Sequence, residues 1–291
     1  MEVISVCIPS HNTLSKGDEV LERTINSISN AIKFFYSHNN EVKVIISWVD
    51  DASTDGTVDE VRRLRNLQDS RIKDNFFITP INVNRGQAYC RNLAAGLYNS
   101  DYICLFDSDD EMYENHLSVC HALMDAKDSS GKKFAIGSTS IDTSEKDIHP
   151  YWLEAMSNSV PNTKIIRRDV WEFVEGMPTD FIYRKIGEED VAFVRIVYRF
   201  FEFILYSKST SKYWNYPGSN FDMQIEKFRT DPAKYVEKYT KVAKDLLPIR
   251  DQILTRKIEY LEQKFIIYNL YDKFDNLMTK FQPQDVENKI L

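Results

Sequence analysis

The first 127 residues alternate short apolar runs with segments of helical periodicity. A β-branched run occupies residues 3–9. A helical stripe follows, formed by Leu21, Ile25, Ile28, Ile32 and Phe35. Further apolar runs lie at residues 42–49, in NFFITP and in YICLF, and a segment of helical pattern follows each of them. This alternation predicts an α/β protein whose sheet is mostly parallel and covered by helices on both faces.

Carboxylates stand at the ends of two predicted strands. Asp50 and Asp51 end the second strand, and the stretch CLFDSDDEM places Asp107 and Asp109 directly after the fourth. The carboxyl ends of parallel strands meet at one edge of a sheet, where ligands bind. A buried carboxylate without a partner is costly. The sequence therefore predicts one crevice in which both carboxylate groups meet a ligand.

Asp107 and Asp109 are candidate metal ligands. In an extended strand their side chains would lie about 6.6 Å apart on one side, so a turn at Ser108 is needed before both can reach one ion. Mg²⁺ and Mn²⁺ prefer oxygen ligands such as carboxylates and substrate phosphates. An isolated D-x-D is also common as a solvated turn, with Asp110 and Glu111 capping the next helix.

Two other acidic stretches have both a functional and a structural interpretation. In VDDASTDGT, either Asp50 or Asp51 could accept the imide N–H of a uracil ring, or the stretch is a polar turn with Thr54 or Asp55 as helix cap. GEED at residues 187–190 opens a predicted helix, where acidic side chains gain about 0.3–1 kcal/mol from the helix dipole. The functional interpretation makes one of these carboxylates a general base.

Composition limits the classes of partner. With 37 basic and 44 acidic residues the formal charge is −7, which argues against a nucleic-acid surface and does not favour an anionic membrane. No apolar run reaches the roughly 18 residues that span a bilayer, and the N-terminus lacks a basic start, so we expect no transmembrane segment and a cytoplasmic location. The four cysteines and five histidines show no metal-site spacing, which predicts reduced, structural cysteines.

The second half of the chain has a looser pattern. KFAIGSTSI reads as a strand, and helical patterns enter at KIIRRDVWEFV and after Gly187. Beyond YPGSNFDM the sequence predicts helix throughout, from 231 to 247 and then through an apolar stripe of Leu254, Ile258, Leu261, Phe265, Leu270, Phe274, Leu277 and Phe281. We therefore divide the chain into a domain at 1–220 and a helical extension at 221–291. The stripe either packs on the domain or joins copies into a homo-oligomer, and a peripheral membrane contact stays open.

Five motifs, in this order, resemble the family 2 glycosyltransferases, whose catalytic domain is called GT-A. They are VISVCIPSHN, VDDASTDGT, NRGQAYCRNLA, DSDD and GEEDVAFVRI, and the resemblance covers about residues 1–220. It implies a GT-A-like, Rossmann-like mixed sheet flanked by helices. It also implies inverting transfer of a hexosyl or N-acetylhexosaminyl group from a UDP-sugar to a hydroxyl of a carbohydrate or glycoconjugate acceptor, as in polysaccharide biosynthesis.

The resemblance implies nucleotide-sugar-binding roles for five residues. Pro9 and His11 would lie against the nucleobase, where the family often has a tyrosine in place of His11. Asp51 would bond the uracil imide, and Arg91 would approach the nucleotide. Ser108, inside the D-x-D, would also contact the nucleotide sugar.

The resemblance assigns the reacting end of the site to four carboxylates. Asp107 would contact the ribose or a metal, and Asp109 would hold the Mn²⁺ or Mg²⁺ that bridges both phosphates of the donor. Asp190 would be the general base that deprotonates the acceptor, and Glu189 would orient that acceptor.

Departures from the family pattern keep two rival functions open. Trp214 and Tyr216 replace an arginine and a histidine of the Y-R-x-H-P-G-S stretch, so a third metal ligand or phosphate contact is in doubt. Ala52 replaces a signature glycine, a mild change provided that its φ stays below zero. The rivals are a sugar-1-phosphate nucleotidyltransferase, which would want a Gly-rich basic loop after the first strand, and an inactive nucleotide-sugar-binding assembly module.

Overall fold

The computed structural model describes residues 1–232 and 245–281. Most of the helix predicted at 231–247 lies outside the described residues. Within them, eight strands form one sheet in the order β3-β2-β1-β4-β7-β6-β8-β5. The strands are β1 Glu2–Ser10, β2 Val42–Asp51, β3 Phe76–Ile81, β4 Tyr102–Leu105, β5 Glu111–Met112, β6 Ile136–Thr143, β7 Lys164–Arg167 and β8 Phe203–Tyr213.

Helices connect the strands and cover the sheet. The described α-helices are α1 Val20–His38, α2 Thr57–Asn66, α3 Ser70–Lys73, α4 Gln87–Leu97, α5 His116–Asp125, α6 Pro150–Ser159, α7 Arg168–Val174, α8 Phe181–Ile186, α9 Glu189–Phe200, α10 Asn220–Met223, α11 Ile225–Phe228, α12 Leu247–Ile267 and α13 Leu270–Lys273. The described residues also form two short 3₁₀-helices, at Leu14–Lys16 and Pro161–Thr163.

The mixed, mostly parallel sheet confirms the predicted fold class. β3, β2, β1 and β4 run parallel as neighbours, and β6 is parallel to β8, whereas β7 and β5 pair antiparallel with their neighbours. The parallel half is the part whose strands alternate with helices in the sequence. Its carboxyl ends therefore lie on one edge, as the pattern predicts.

Two apolar clusters lie on opposite faces of the sheet because side chains alternate along each strand. Ile4, Val6 and Ile8 of β1 point into one cluster, and Cys7 points into the other. The predicted stripe of α1 is buried in the first of these clusters. The strands of a sheet that is covered on both faces have nearly continuous apolar sequences, which is why they can be recognised in the sequence.

A polar cluster that the sequence does not reveal lies inside one face of the core. Cys104 Sγ and Cys120 Sγ lie 3.6 and 3.5 Å from His116 Nε2. His116 Nδ1 donates to Thr210 Oγ1 at 2.7 Å, because the Thr210 hydroxyl itself donates to Thr139 at 2.8 Å. Nε2 therefore offers its single lone pair to a thiol donor. A hydrogen bond with Cys120, together with burial, raises the pKa of Cys104 well above its usual value, so this thiol stays protonated.

The C-terminal segment packs into the core of the rest of the chain. Leu254, Leu261 and Phe265 of α12 are buried in the same cluster as α9, and so are Phe274, Leu277 and Phe281. Phe265 lies at the centre of an aromatic group, with ring centroids of Phe173, Phe200, Phe274 and Phe281 at 5.4, 5.9, 5.9 and 5.3 Å. The domain boundary at 220 and pairing of copies through this segment stay predictions.

The segment is not helical throughout, which corrects the expectation from its periodicity. α12 ends at Ile267, and Asn269 adopts a left-handed φ of 47°. After α13 the chain becomes extended, with isolated bridges from Leu277 to Lys133 and from Thr279 to Phe201. The apolar residues after 270 thus reach the core along an extended chain. Within the part of the chain that the structure describes, no helix has the length and apolar character needed to cross a membrane.

The turn after β2 carries backbone strain. Ala52 has a φ of 58°, so the condition under which its replacement of glycine would be mild is not met. An L-residue in the left-handed region costs about 1–2 kcal/mol, because Cβ approaches the following carbonyl oxygen. Asp51, the last residue of β2, directly precedes this turn.

We predict that Phe265→Ala lowers the free energy of unfolding by about 3–5 kcal/mol, because it opens a cavity in a packed aromatic group. Urea denaturation followed by circular dichroism measures the change. Ile267→Ala is the matched control on the same helix, since Ile267 is 71% exposed and its loss should change stability by less than about 0.5 kcal/mol. Equal effects of the two changes would contradict the packing described here.

We predict that Ala52→Gly raises the free energy of unfolding by about 0.5–1 kcal/mol. Glycine removes the left-handed strain but gains more conformational freedom in the unfolded chain, so the net gain is smaller than the strain. Ala126 has a φ of −62° and provides the control, because Ala126→Gly should destabilise the protein. A loss of stability in Ala52→Gly would show that the turn does not strain alanine. The same urea titration measures both variants.

Candidate active site

A cavity of about 400 Å³ opens at the carboxyl ends of the parallel strands. This volume is sufficient for a small-molecule ligand. All nine residues that the sequence singles out line it: Pro9, His11, Asp51, Arg91, Asp107, Ser108, Asp109, Glu189 and Asp190. A second cavity of about 500 Å³ adjoins it and shares His11, Asp51 and Glu189 with it. The structure thus brings all nine residues together around one cavity.

The end of β1 holds an imidazole at the cavity wall. His11 Nδ1 donates to the carbonyl oxygen of Asp51 at 2.7 Å, which fixes the ring against the end of β2. Asn12 has a left-handed φ of 47°, so the chain turns away from the direction of β1 at this residue. Its backbone N–H donates to Ser53 Oγ at 2.8 Å. The imidazole is therefore held by the neighbouring strand and, through a longer contact of 3.4 Å between its Nε2 and Asn12 Nδ2, by its own loop.

The two aspartates at the end of β2 serve different neighbours. Asp50 is buried and accepts from Ser10 Oγ at 2.8 Å and from the backbone N–H of Ser53 at 2.9 Å. Asp51 accepts from the backbone N–H groups of Arg85 and Gly86 at 2.6 and 2.8 Å, one on each carboxylate oxygen. Asp51 therefore shapes the loop before α4. A carboxylate has about four lone-pair sites, so Asp51 still has acceptor capacity for a ligand.

Arg91 joins the two halves of the site. Its guanidinium, which is 1% exposed, donates to Asp107 and lies 3.8 Å from Glu189. Burial disfavours the charged guanidinium, but the carboxylates of Asp107 and Glu189 outweigh this and raise the pKa of Arg91. Gln87, one helical turn earlier, also donates to Glu189. The arginine thus holds together the end of β4 and the start of α9.

The D-x-D loop turns at Ser108, as the two carboxylates require to approach one ion. Ser108 Oγ is hydrogen-bonded to Thr13 Oγ1 at 2.8 Å, which ties this loop to the loop after β1. Asp107 and Asp109 both line the cavity with hard oxygen donors. This donor set fits Mg²⁺ or Mn²⁺ and would not fit a soft metal.

The two departures from the family pattern support the D-x-D loop. Tyr216 donates its hydroxyl to the carbonyl oxygen of Asp109 at 2.8 Å, and Arg23 donates to the same oxygen at 2.9 Å. The guanidinium of Arg23 stacks 4.2 Å from the ring centroid of Trp214. The backbone N–H of Trp214 donates to buried Asp110 at 2.8 Å. Tyr216 therefore fixes the backbone of the loop at Asp109, and Trp214 fixes the side chain of Asp110.

The start of α9 presents two carboxylates. Gly187 and Glu188 adopt left-handed φ values of 73° and 69°, and this sharp turn directs the first helical turn toward the cavity. Asp190 accepts from the backbone N–H of Val191 at 2.8 Å. Burial, followed by the negative charge of Glu189, raises the pKa of Asp190 to about 6. A carboxylate with such a pKa is a better base near neutral pH than an ordinary one.

Sequence reasoning missed several residues of the site. Lys16 lines the cavity and lies 2.5 Å from Asp109. Gln87 contacts Glu189, and Arg23 and Asp110 anchor the D-x-D loop. Gln87 belongs to the quoted segment NRGQAYCRNLA, so the motif carried a signal for it. The other three contacts join residues that are distant in sequence, and no local pattern reports them.

Solved structures with a similar fold are glycosyltransferases. Staphylococcus aureus TarS 1-349 in complex with UDP-GlcNAc has a TM-score of 0.57 and 18% identity, over 93% of this chain and 75% of that chain. The mannosyltransferase PcManGT from Pyrobaculum calidifontis, in complex with GDP-Man and Mn²⁺, has a TM-score of 0.52 and 14% identity, over 91% and 75%. These similarities confirm the predicted GT-A-like fold.

A curated relative matches part of the chain. The abequosyltransferase RfbV of Salmonella typhimurium strain LT2 is 33% identical over 125 residues, which are 43% of this chain and 33% of that protein. The matched region thus spans a third of the relative's length.

The family profile described as glycosyl transferase family 2 matches residues 5–191. This range contains three of the five sequence motifs in full, all but the first two residues of VISVCIPSHN, and the first half of GEEDVAFVRI. It also contains all nine cavity residues that the sequence singles out. This match disagrees with the rival assignment as a sugar-1-phosphate nucleotidyltransferase. The chain therefore belongs to glycosyl transferase family 2 and is a glycosyltransferase.

Proposed function

We propose that the protein transfers a sugar from a UDP-sugar to a hydroxyl group of a carbohydrate or glycoconjugate acceptor, with inversion at the anomeric carbon. The observation that carries the proposal is the meeting of three groups in one cavity. These are the nucleobase-side pair His11 and Asp51, the D-x-D carboxylates, and Asp190 with its raised pKa. Direct attack by an acceptor that Asp190 deprotonates is a single displacement, and a single displacement inverts configuration.

The nucleobase would lie between His11 and the end of β2. The fixed imidazole offers a flat face, and the Asp51 carboxylate keeps lone pairs beyond those used by Arg85 and Gly86. A carboxylate accepts the N3–H of uracil or thymine but meets a lone pair at N3 of cytosine. Uracil and thymine nucleotides should therefore bind more tightly than cytosine nucleotides. Similar folds hold UDP-GlcNAc in TarS and GDP-Man in PcManGT, so guanine belongs in the comparison.

Asp107 and Asp109 would hold the divalent cation, Mn²⁺ or Mg²⁺, at the diphosphate. When bound, the cation would act as a Lewis acid that stabilises the negative charge of the departing diphosphate. The ion pair with Arg91 fixes Asp107, and the hydrogen bond with Thr13 fixes Ser108. The loop is therefore preorganised, so little reorganisation is needed when the donor binds.

Asp190 is the proposed base, and Glu189 is the proposed acceptor-orienting residue. Arg91 and Gln87 engage Glu189, so its carboxylate is fixed beside Asp190. The negative charge of Glu189 helps to raise the pKa of Asp190 to about 6, which strengthens the base. At neutral pH most of Asp190 is still deprotonated and ready to accept a proton.

The first test is release of nucleoside diphosphate from a panel of UDP-, dTDP-, CDP- and GDP-sugars, with Mn²⁺ or Mg²⁺ and then with chelator. No acceptor is added, so that water can serve. We expect UDP release from one UDP-sugar and loss of that release with chelator, because the diphosphate leaves poorly without a cation. Asp109→Ala should abolish the metal dependence of UDP binding measured by calorimetry.

Three binding results would each contradict a different part of the donor-site assignment. If the protein binds no uridine nucleotide with either metal, the assignment of UDP is wrong. If CDP binds as tightly as UDP, Asp51 does not accept a hydrogen bond from the uracil imide N–H. Unchanged Mn²⁺ dependence of UDP binding in Asp109→Ala would remove the metal assignment while leaving the donor assignment intact.

We predict that Asp190→Asn lowers kcat by about a hundredfold or more, because the amide cannot accept the acceptor's proton. In the parent, kcat should fall as the pH drops below about 6, because the carboxyl group becomes protonated through its pKa of about 6. This acidic limb should be absent from the residual activity of Asp190→Asn. Turnover at several pH values measures both effects.

Asp169→Asn is the matched control for this variant. Asp169 also accepts from the backbone N–H of the next residue at 2.8 Å in the first turn of a helix, but it does not line the cavity. Its loss should leave kcat and the pH profile unchanged. Parental turnover in Asp190→Asn would remove Asp190 as the base.

A further inference from the structure

Lys16 lies over the D-x-D loop although it is 93 residues away in sequence. It ends the 3₁₀-helix after β1, and its Nζ is 2.5 Å from Asp109 Oδ2. The same ammonium group lies 5.8 Å from the ring centroid of Tyr216. Both Lys16 and Asp109 line the cavity. A cation is therefore present at the carboxylate that the proposed function assigns to a metal ion.

The loop that carries Lys16 is held in place by backbone hydrogen bonds. The N–H of Leu14 donates to Thr57 Oγ1 at 3.0 Å, and the N–H of Ser15 donates to Asp55 Oδ2 at 2.8 Å. Thr13 is hydrogen-bonded to Ser108 at 2.8 Å. These contacts fix the loop against the start of α2 and against the D-x-D loop. The Lys16 ammonium group is thus delivered to a defined position, and its flexible stem lets it move within reach of that position.

The ion pair with Asp109 is suited to exchange. The two side chains are 32% and 20% exposed, and exposed ion pairs contribute little to stability. A divalent cation bound to Asp109 would displace the Lys16 ammonium group, because both cations would need the same carboxylate oxygen and would repel each other. The displaced ammonium group would then face the strongest anion of the occupied cavity, which is the diphosphate of the donor.

The other cations near this end of the cavity are already committed. Among the described residues that line the cavity, Arg91 and Lys16 carry positive charge, and Arg91 engages Asp107 and Glu189. Arg23 donates to the carbonyl oxygen of Asp109 and stacks on Trp214. Lys16 is therefore the cation that can change its partner when a phosphate arrives.

We propose that Lys16 binds the diphosphate of the donor and, in the empty enzyme, occupies Asp109 in competition with the divalent cation. This inference rests on the proposed function. It assigns to the loop after β1 a role in recognising phosphate. It also predicts opposite effects of Lys16 on its two ligands, because the ammonium group opposes metal binding at Asp109 and favours binding of the second phosphate.

The test is isothermal calorimetry on the full chain with Mn²⁺ alone, with UDP and Mn²⁺, and with UMP and Mn²⁺. Lys16→Ala should bind Mn²⁺ alone more tightly than the parent, because the competing charge is gone. It should bind UDP about tenfold more weakly, the usual loss for one charge-assisted hydrogen bond. UMP binding should be unchanged, because UMP lacks the phosphate that Lys16 contacts.

Two control variants sharpen the result. Lys16→Arg keeps a cation and should bind UDP nearly as the parent does. Lys33→Ala removes a surface lysine whose partner is Asp69, away from the cavity, and should behave as the parent in all three titrations.

Equal weakening of UDP and UMP binding by Lys16→Ala would overturn the inference, because it would indicate general damage to the loop. Parental affinity for UDP would overturn it as well. If the parent itself binds no uridine nucleotide, the proposed function fails instead.

Discussion

The site depends on the ion pairs that the buried guanidinium of Arg91 forms with two carboxylates. Asp107 comes from the end of β4 and Glu189 from the start of α9, and both carboxylates approach this one cation. Without a cation between them, two negative charges would repel each other in a poorly solvated place, and each would tend to take up a proton. Arg91 therefore allows a strand end and a distant helix to share one crevice.

The same charge balance explains why Asp190 differs from its neighbour. Glu189 is compensated by Arg91 and Gln87, whereas Asp190 lies beside that negative charge and is held by one backbone N–H. Two adjacent carboxylates thus acquire different properties, and the pKa of Asp190 rises to about 6. The pair fits a division of labour in which Glu189 is held by Arg91 and Gln87 while Asp190 exchanges a proton.

Local pattern was sufficient to predict the parallel half of the sheet and the residues that meet at its edge. β1, β2, β3 and β4 each end at a polar turn, and the carboxyl ends of parallel strands converge, so proximity follows from topology. The remaining features depend on contacts between distant residues. Tyr216 reaches the carbonyl oxygen of Asp109 across 107 positions, and the left-handed φ of Ala52 follows from the turn that the tertiary structure imposes. The break of the C-terminal helix at Asn269 has the same origin, because the bridges to Lys133 and Phe201 require an extended chain.

The C-terminal segment bears on the site through α9. Glu262 of α12 is almost fully buried and accepts from Arg199 of α9 at 2.7 Å, while Phe265 packs against Phe200 at the end of the same helix. The first residues of α9 are Glu189 and Asp190, so the element that fixes its far end also fixes the direction from which the carboxylates enter the cavity. Helices in a close-packed interior move as units, because their side chains interdigitate with those of their neighbours. Residues of α12 that lie far from the cavity therefore contribute to the position of the proposed base.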